Sequence, residues 1–563
     1  MALSREVYEA LEAIVGPGNI TEEPATLHAY AYQWMAELVS DVSGGSKFFD
    51  RPEAVLMPGS AEEVQAIVRT CNRCKLKFHA YSTGWGPWAA PPAAGQILLD
   101  LRRMNRILEI DAQNMFAVVE PYVVAGQLQA EAMKVGLNNH ISGAGAGTSV
   151  LANACCFQGG GPDCMYFASP QDSILSIEWV TPTGDMLRTG SLGSGLGWFC
   201  AEGPGPSTQG IIRGALGGAG GWGVVTKIAI RLVHWPGPAV MPIEGTVPSY
   251  GSPLPEDLFR AAFPAFPSWQ AYADAIYRIY DSEIGYIAHR QFVMWGDELQ
   301  AAFLKIVTDP TRQLCDLQEL LEEPEVQKLA EEMRRNFQLI LAGMTPRDLE
   351  YQRKVLDQIL RETGGWNIAA VDEPTLQRYV LLFMIKLCFK NLNFTATGGF
   401  IDTYNSVASP DVWASGEIEA GKALLKKYAG RIADAGDQAM GPVSGQGGGG
   451  GTGWEDFLFY DPQDPDSAKA AVEVSDEGDR LKAAQGRPPG GMLLGLARAT
   501  HADERLRAQK ELVEAEAHID RLEKLLASPF AQKAPPAVVD KERQRLEGFK
   551  DVAEKLKRQL ESR

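Results

Sequence analysis

The sequence predicts an α+β chain built from more than one unit and closed by a helical hairpin. Three observations carry this. From residue 53 to about 236, short β-branched apolar runs alternate with amphipathic helical stretches. HWPGP at 234–238 then breaks the chain. After residue 500 there are two helical stripes and no strand pattern. At 563 residues there is material for two or three domains with cores of their own.

Taken in order, MALSREVYEALEAIV reads as an amphipathic helix bearing acids, followed by irregular chain, which gives a helical segment over 1–50. In 51–238 the expected order is AVLMP, a helix at 60–75, KLKFHAYS, QILLDL, FAVVEPYV, a helix from Gly126 to Val135, SIEWVTPTG, DMLRTG and VVTKIAIRLV. Residues 239–440 mix strands such as IGYIAHRQFVMW with the helix TPRDLEYQRKVLDQILRETGG. Thr345 and Pro346 suit its start, and Gly364–Gly365 its end. Residues 441–495 run from glycine-rich loop into FLFYDPQDPDSAKAAVEV, a strand and then a helix. In 496–563, Leu506, Val513, Ile519, Leu522 and Leu526 form one stripe and Phe549, Val552, Leu556 and Leu560 another, with SPFAQKAPP between them.

Composition removes several classes of function. The formal charge is −18, and the tail from 501 to 563, with 14 Lys and Arg against 13 Asp and Glu, is +1, leaving −19 on the rest. No basic face for nucleic acid is expected. No apolar run reaches the roughly 18 residues of a membrane span, and the chain reads as cytoplasmic. Eight cysteines make no disulfide framework; Cys71 and Cys74 sit at helical spacing with no second CxxC, so free thiols and no metal are expected. Cys155, Cys156 and Cys164 lie in a glycine-rich stretch near any ligand bound there.

Apparent motifs fall to their context. Gly218 to Gly223 satisfies GxGxxG, but a strand follows where a dinucleotide fingerprint needs a helix. There is no GxxxxGK[ST], no HExxH and no GxSxG. The five glycines from Gly447 to Gly451 suit a loop over a site.

HAYSTGWGPWAAPPAAG, residues 79–95, packs two tryptophans, three prolines and three glycines into one loop. Such a loop brings backbone close to something. Around it stand LDLRRMNRILEID, VVEPYVVAGQL, TSVLAN, EWVTPTGDMLRTG and GVVTKIAIRL, in that order. Together these blocks resemble the FAD-binding domain of the vanillyl-alcohol oxidase/p-cresol methylhydroxylase flavoprotein superfamily. The resemblance is firm over about 50–236, loose over the following cap, and absent from 1–45 and 496–563. It implies a PCMH-type FAD-binding domain, an α+β cap that takes substrate, and FAD as cofactor.

Carried onto this sequence, the resemblance places Ser82, Thr83, Gly84, Trp85, Gly86, Pro87 and Trp88 at the pyrophosphate, met by backbone N–H groups. Gly147, Thr148, Ser149 and Asn153 would lie along the ribityl chain and flavin, and Gly159, Gly160 and Gly161 near the ring system. Gly223, Val224 and Val225 would touch flavin or adenine through backbone. Polar cap residues are the expected source of a catalytic base: His289, Asp402 and Tyr404, with Tyr166 after the glycine-rich stretch.

Departures narrow the expectation. WGPW replaces a tyrosine-containing loop about three residues longer in alkylphenol-oxidising members. Ala144 stands where some carry an Asp near the flavin. Only His79 lies near the loop, so no histidyl–FAD link is expected, and SGQGGGGGTGWEDF lacks the histidine of glycolate and D-lactate dehydrogenase relatives. The resemblance implies an FAD-dependent oxidoreductase that takes hydride from a small alcohol, alkylphenol or hydroxy acid, and the added helical tail favours a dehydrogenase over an oxidase. Electrons would pass to an acceptor subunit, with the tail as docking element in a homo- or hetero-oligomer. A glycolate or D-lactate dehydrogenase-like subunit and a non-catalytic flavin-binding subunit are the alternatives.

Overall fold

Ser60, with an extended backbone, accepts a hydrogen bond from the Glu63 amide and starts the helix Ala61–Cys74, which ends on a left-handed Lys75. Its apolar side, Val64, Ile67, Val68 and Cys71, is buried on a four-stranded sheet. These features come from a computed structural model describing residues 3–33, 36–38, 45–84, 89–91, 94–141, 145–156, 163, 173–200, 223–290, 297–386, 399–408, 410–432, 441–442, 452–484, 492–529 and 535–561. The sheet order is Ile20–Thr21, Val55–Leu56, Gln96–Asp100, Lys77–Tyr81. The last three run parallel. Gln96–Asp100 is covered on both faces, and so reads as an unbroken apolar run, Ile97 to Leu99, between Gln96 and its final aspartate.

The sequence treats residues 1–50 as a segment of their own. In the structure, Leu11 and Val15 of the helix Arg5–Val15 share a core with Val64 and Ile67, and Ile20–Thr21 forms the antiparallel edge of the sheet. Further along, Glu37 accepts a hydrogen bond from Tyr460 Oη at 2.6 Å.

The second sheet is antiparallel, in the order Ile107–Asp111, Phe116–Val119, Val224–Arg231, Ile174–Val180, Met186–Arg188. Glu178, nearly buried, takes Lys227 at 2.6 Å and Arg188 at 3.0 Å and ties three strands together. Where Val224–Arg231 begins, Gly223 has φ +102°, and a Cβ there would sit 2.1 Å from the Val180 carbonyl oxygen. Gly223→Ala is therefore expected to cost about 1–3 kcal/mol, read as a lower urea midpoint with an unchanged m-value.

A third sheet follows the HWPGP break, ordered Phe259–Ala262, Gln338–Ala342, Ile287–Arg290, Gly441–Pro442. Alternate residues of its strands enter two different cores. Ala288, Leu339 and Leu341 pack with the helices Trp269–Asp281 and Pro346–Thr363. Ile287 and Ile340 pack with Asp297–Thr308 and Pro374–Lys386. The helix Pro346–Thr363 is capped as expected: Thr345 accepts from the Asp348 amide, and Gly364 closes it at φ 69°. The long strands Gly399–Ala408 and Thr452–Tyr460 pair into a ribbon, followed by the helix Pro465–Ala484.

Helices Met492–Ala527 and Pro536–Glu561 form the antiparallel hairpin. Its seam differs from the stripes read in the sequence. Val513 and Val552 are 65% and 48% exposed, while Ala508, Ala515, Leu522, Val539, Ala553 and Leu556 are buried. The buried positions repeat at heptad spacing, as two wound helices require, and the small alanines bring the backbones close. A straight 3.6-residue period drifts off that seam.

Candidate functional site

Two loops that are far apart in sequence meet at one carbonyl. Ser82 Oγ donates to the Pro121 oxygen at 2.7 Å, and Ser149 Oγ donates to the same oxygen at 2.6 Å. Thr83 Oγ1 in turn accepts from the Ser149 amide at 3.2 Å. Pro121 is itself fixed, because the preceding Glu120, almost fully buried, takes Arg106 through Nη2 at 2.7 Å, Nε at 3.1 Å and the backbone amide at 2.9 Å. Ser82, Thr83, Gly84, Gly147, Thr148 and Ser149 are thus brought together.

The backbone around this junction divides its polar groups. The carbonyls of Ala146 and Thr148 accept from the Gly126 and Ala125 amides, which satisfies first-turn donors of the helix Ala125–Met133. Gly126 allows this approach, since a Cβ would lie 3.3 Å from the Ala146 oxygen. The N–H groups of Gly84, Ala146 and Gly147 make no hydrogen bond among the described residues. A Cβ on Gly147 would meet nothing within 4 Å. Unspent amides beside open space, with no lysine or arginine among them, are what a nest for a phosphate group offers.

Behind the first loop is a buried phenol–carboxylate–guanidinium network. Asp100, fully buried at the end of its strand, accepts from Tyr30 Oη and from Arg102 Nε at 2.7 Å, and Arg102 Nη2 donates to Tyr30 Oη at 2.6 Å. Tyr81 stands edge-on to Tyr30. Burial, together with the Asp100 charge, pushes the Tyr81 phenol up to about 12, so it stays neutral at ordinary pH. Gly84, at φ +74°, lies under that hydroxyl.

Asn153 lies on the short helix Val150–Cys156 and shares a small cleft with His140, Val150 and Ser173. His140 Nδ1 is 2.8 Å from Asp163 Oδ1, and Asp163 Oδ2 accepts from the Ile141 amide at 2.9 Å. A second cleft on the other side of His140 reaches Gln129 and Lys386. This imidazole, set against a carboxylate, was not singled out from sequence; NNH carries no motif. Asp100 did leave a signal, as a lone acid ending an apolar strand.

The remaining expected residues fall in different places. Gly223, Val224 and Val225 stand at the start of their strand. His289 is buried on Ile287–Arg290, opposite Gln338. Asp402 and Tyr404 lie on Gly399–Ala408, with backbone register to Phe457 and Asp456. That ribbon belongs to a different sheet from His289. Trp85, Gly86, Pro87, Trp88, Gly159, Gly160, Gly161 and Tyr166 lie outside the described residues. Cys71 and Cys74 are free thiols on one helix, and burial pushes Cys71 up to about 12, which makes it a poor nucleophile. No group of His, Cys, Asp and Glu suited to a metal ion occurs among the described residues.

Residues 52–190 match a family described as an FAD binding domain, and residues 502–562 match one described as the valyl tRNA synthetase tRNA binding arm. The chain is 30% identical over 183 residues to D-2-hydroxyglutarate dehydrogenase of Stutzerimonas stutzeri, covering 32% of this chain and 37% of that protein. It is 31% identical over 252 residues to the 4-cresol dehydrogenase [hydroxylating] flavoprotein subunit of Pseudomonas putida, covering 42% and 44%. Each match spans less than half of the relative's length. A crystal structure of p-cresol methylhydroxylase with substrate bound superposes with a TM-score of 0.60 at 18% identity, covering 86% of this chain and 89% of the other. The α+β fold is that of the PCMH-type flavoproteins, and the cofactor is FAD.

Proposed function

We propose that this chain, which carries an FAD-binding domain of the p-cresol methylhydroxylase type, is an FAD-dependent dehydrogenase of a small alcohol, alkylphenol or hydroxy acid. The observation that carries the reading is the junction at Pro121, where the amides of Gly84, Ala146 and Gly147 make no hydrogen bond among the described residues of the matched domain. Bound FAD supplies a two-electron acceptor for a substrate C–H bond. The chain's own residues hold the cofactor through backbone, keep Tyr81 neutral beside the loop, and place His140 with Asp163 next to Asn153.

The test is anaerobic bleaching of the bound flavin by a panel of alcohols, alkylphenols and hydroxy acids. Loss of the yellow flavin band with one class names the substrate; a yellow protein that none of them bleaches favours a non-catalytic flavin-binding subunit. Noncovalent FAD is a further expectation, because no histidine lies in the pyrophosphate loop. Acid precipitation is expected to leave the yellow colour in the supernatant, and colour in the pellet would show a covalent bond.

The hairpin is read as a protein-docking element rather than an RNA arm. Along one flank Lys550 pairs with Glu523 at 2.6 Å and Lys557 with Glu516 at 2.7 Å, and Lys524 with Asp520 at 2.6 Å adds to the pattern. Cations matched by acids leave little charge for phosphates. Removing the chain after residue 484 is expected to leave FAD bound and to abolish association with an acceptor subunit, seen by absorbance and by size-exclusion chromatography. Colourless truncated protein would place the hairpin in the cofactor fold instead.

A further inference from the structure

Ahead of the matched FAD domain, which begins at residue 52, the chain makes three ties that reach two separate places. The first is Tyr30, at the end of the helix Pro24–Tyr30, which donates to Asp100 in the network behind the cofactor loop. The second is Gln33, 2% exposed, whose Oε1 accepts from the Ala90 amide at 2.9 Å. Ala90 belongs to the loop that follows Tyr81, and Ser82 and Thr83 hold the other end of that loop through Pro121 and Ser149. The third is Glu37, also buried, whose Oε1 accepts from Tyr460 Oη at 2.6 Å and faces Lys47 Nζ at 2.5 Å. Tyr460 ends the strand Thr452–Tyr460 of the ribbon. Leu38 shares a core with it, together with Leu458, Ala470 and Val474.

Backbone pairing stiffens the path between these ties. The Gln33 amide donates to the Lys47 carbonyl and the Phe49 amide to the Ala31 carbonyl, both at 2.9 Å, and Tyr32 pairs with Phe48. That pairing brings Lys47 back to Glu37. The residue that fixes the backbone of Gln33 is therefore also the counter-ion of the carboxylate that holds Tyr460. Two of the links, Gln33 to Ala90 and Glu37 to Tyr460, are buried hydrogen bonds, and breaking one leaves a polar group with neither its partner nor water.

We propose that Gln33 is a positioning residue for the FAD loop, and that 30–33, 36–38 and 47–49 together clasp this loop to the ribbon. Gln33 acts on the loop and not on the cofactor. It holds one end in place in the folded chain, so that less ordering remains to oppose binding. Glu37 anchors the clasp, which makes the ribbon that carries Asp402 and Tyr404 part of what keeps the loop in position. A clasp that served folding alone would stabilise the chain without changing its affinity for FAD. The inference rests on the reading of Ser82, Thr83 and Gly84 as part of a cofactor loop, and adds to it residues from outside the matched domain.

The test is FAD titration of full-length apoprotein, with thermal unfolding followed alongside. Gln33→Met keeps the side-chain length and removes the acceptor, whereas Gln33→Glu keeps an accepting oxygen. Tyr460→Phe keeps the ring and removes the donor to Glu37. FAD is expected to bind about tenfold more weakly to Gln33→Met, the size of one lost buried hydrogen bond, and to recover most of that in Gln33→Glu. Tyr460→Phe alone is expected to weaken FAD about threefold, and to add nothing in the Gln33→Met background, because both changes cut one path. Equal affinity in wild type and Gln33→Met, no recovery in Gln33→Glu, or a Tyr460→Phe effect that persists in full in the double variant overturns the clasp. So does a lower melting temperature with FAD affinity unchanged. Hydrogen exchange gives a reading that needs no change at Gln33. The peptide holding Ala90 is expected to exchange faster in Tyr460→Phe apoprotein than in wild type, and equal exchange overturns the clasp. That measurement contains no FAD, so the two readings fail separately. Faster exchange in a protein whose Gly84→Val variant keeps full FAD leaves the clasp standing and removes the cofactor loop. Equal exchange, with Gly84→Val colourless, does the reverse.

Discussion

Gly84→Val is expected to give folded protein that is isolated without its yellow colour. The residue has φ +74°, a conformation that costs a β-branched side chain about 1–3 kcal/mol. A Cβ there would also stand 2.0 Å from Tyr81 Oη and 2.6 Å from Cζ. Tyr81 cannot easily yield, because its ring is packed edge-on to Tyr30, whose hydroxyl is bound to the buried Asp100. The loop must move instead, and with it the Thr83–Ser149 bond that joins the two halves of the nest. At about 1.4 kcal/mol per factor of ten, strain and lost hydrogen bonding weaken FAD by roughly 100-fold or more. Gly147→Ala is the control: a Cβ there meets no atom of the chain, so any loss of flavin reports the cofactor and not the fold. Flavin titration of the apoprotein measures both variants, and full FAD content in Gly84→Val would sink the assignment of this loop.

Local signals were legible wherever a single segment decides its own structure. Thr345, Pro346 and Gly364 mark a helix by cap chemistry alone, and the structure has that helix. The blocks from LDLRRMNRILEID to GVVTKIAIRL hold strands with buried faces and the starts of the helices Ala125–Met133 and Val150–Cys156, and their order is enough for the resemblance. What sequence could not supply is pairing across distance. Tyr30 and Asp100 are 70 residues apart, Asn138 and Tyr286 are 148, and each hydrogen bond exists only once the sheets have assembled. The hairpin shows the same limit on a smaller scale. Val513 and Val552 were placed inside because they are apolar, whereas the wound seam selects Ala515 and Ala553 by position.

His140 and two buried glutamines were missed for a related reason. A histidine in NNH and glutamines in LILAG or ELQAA surroundings look like ordinary surface polarity. Only the folded chain shows that His140 faces Asp163, or that Gln300 and Gln338 are buried with no hydrogen-bond partner among the described residues. His289, chosen from its strand pattern, turns out to be buried opposite Gln338. Periodicity located the strand but said nothing about the company it keeps.

Arg290→Met is expected to be among the most destabilising single changes in the third sheet. The guanidinium is fully buried, and Asp297, its carboxylate partner, is nearly so. Removing the cation takes its counter-ion from the Asp297 carboxylate and strips the carbonyls of Met333 and Asn336 of a donor. Breaking a buried pair from one side costs about 3–5 kcal/mol, because the remaining charge keeps its desolvation cost and loses its counter-ion. Replacing both members removes that charge, so Arg290→Met/Asp297→Leu should recover a large part of the loss. The comparison separates charge burial from simple packing: if the cost came from lost volume, the double variant would be worse than the single one. Urea unfolding of wild type, single and double variants measures the difference. A single variant within about 1 kcal/mol of wild type, the size expected of an exposed ion pair, would show that the pair is not buried as described.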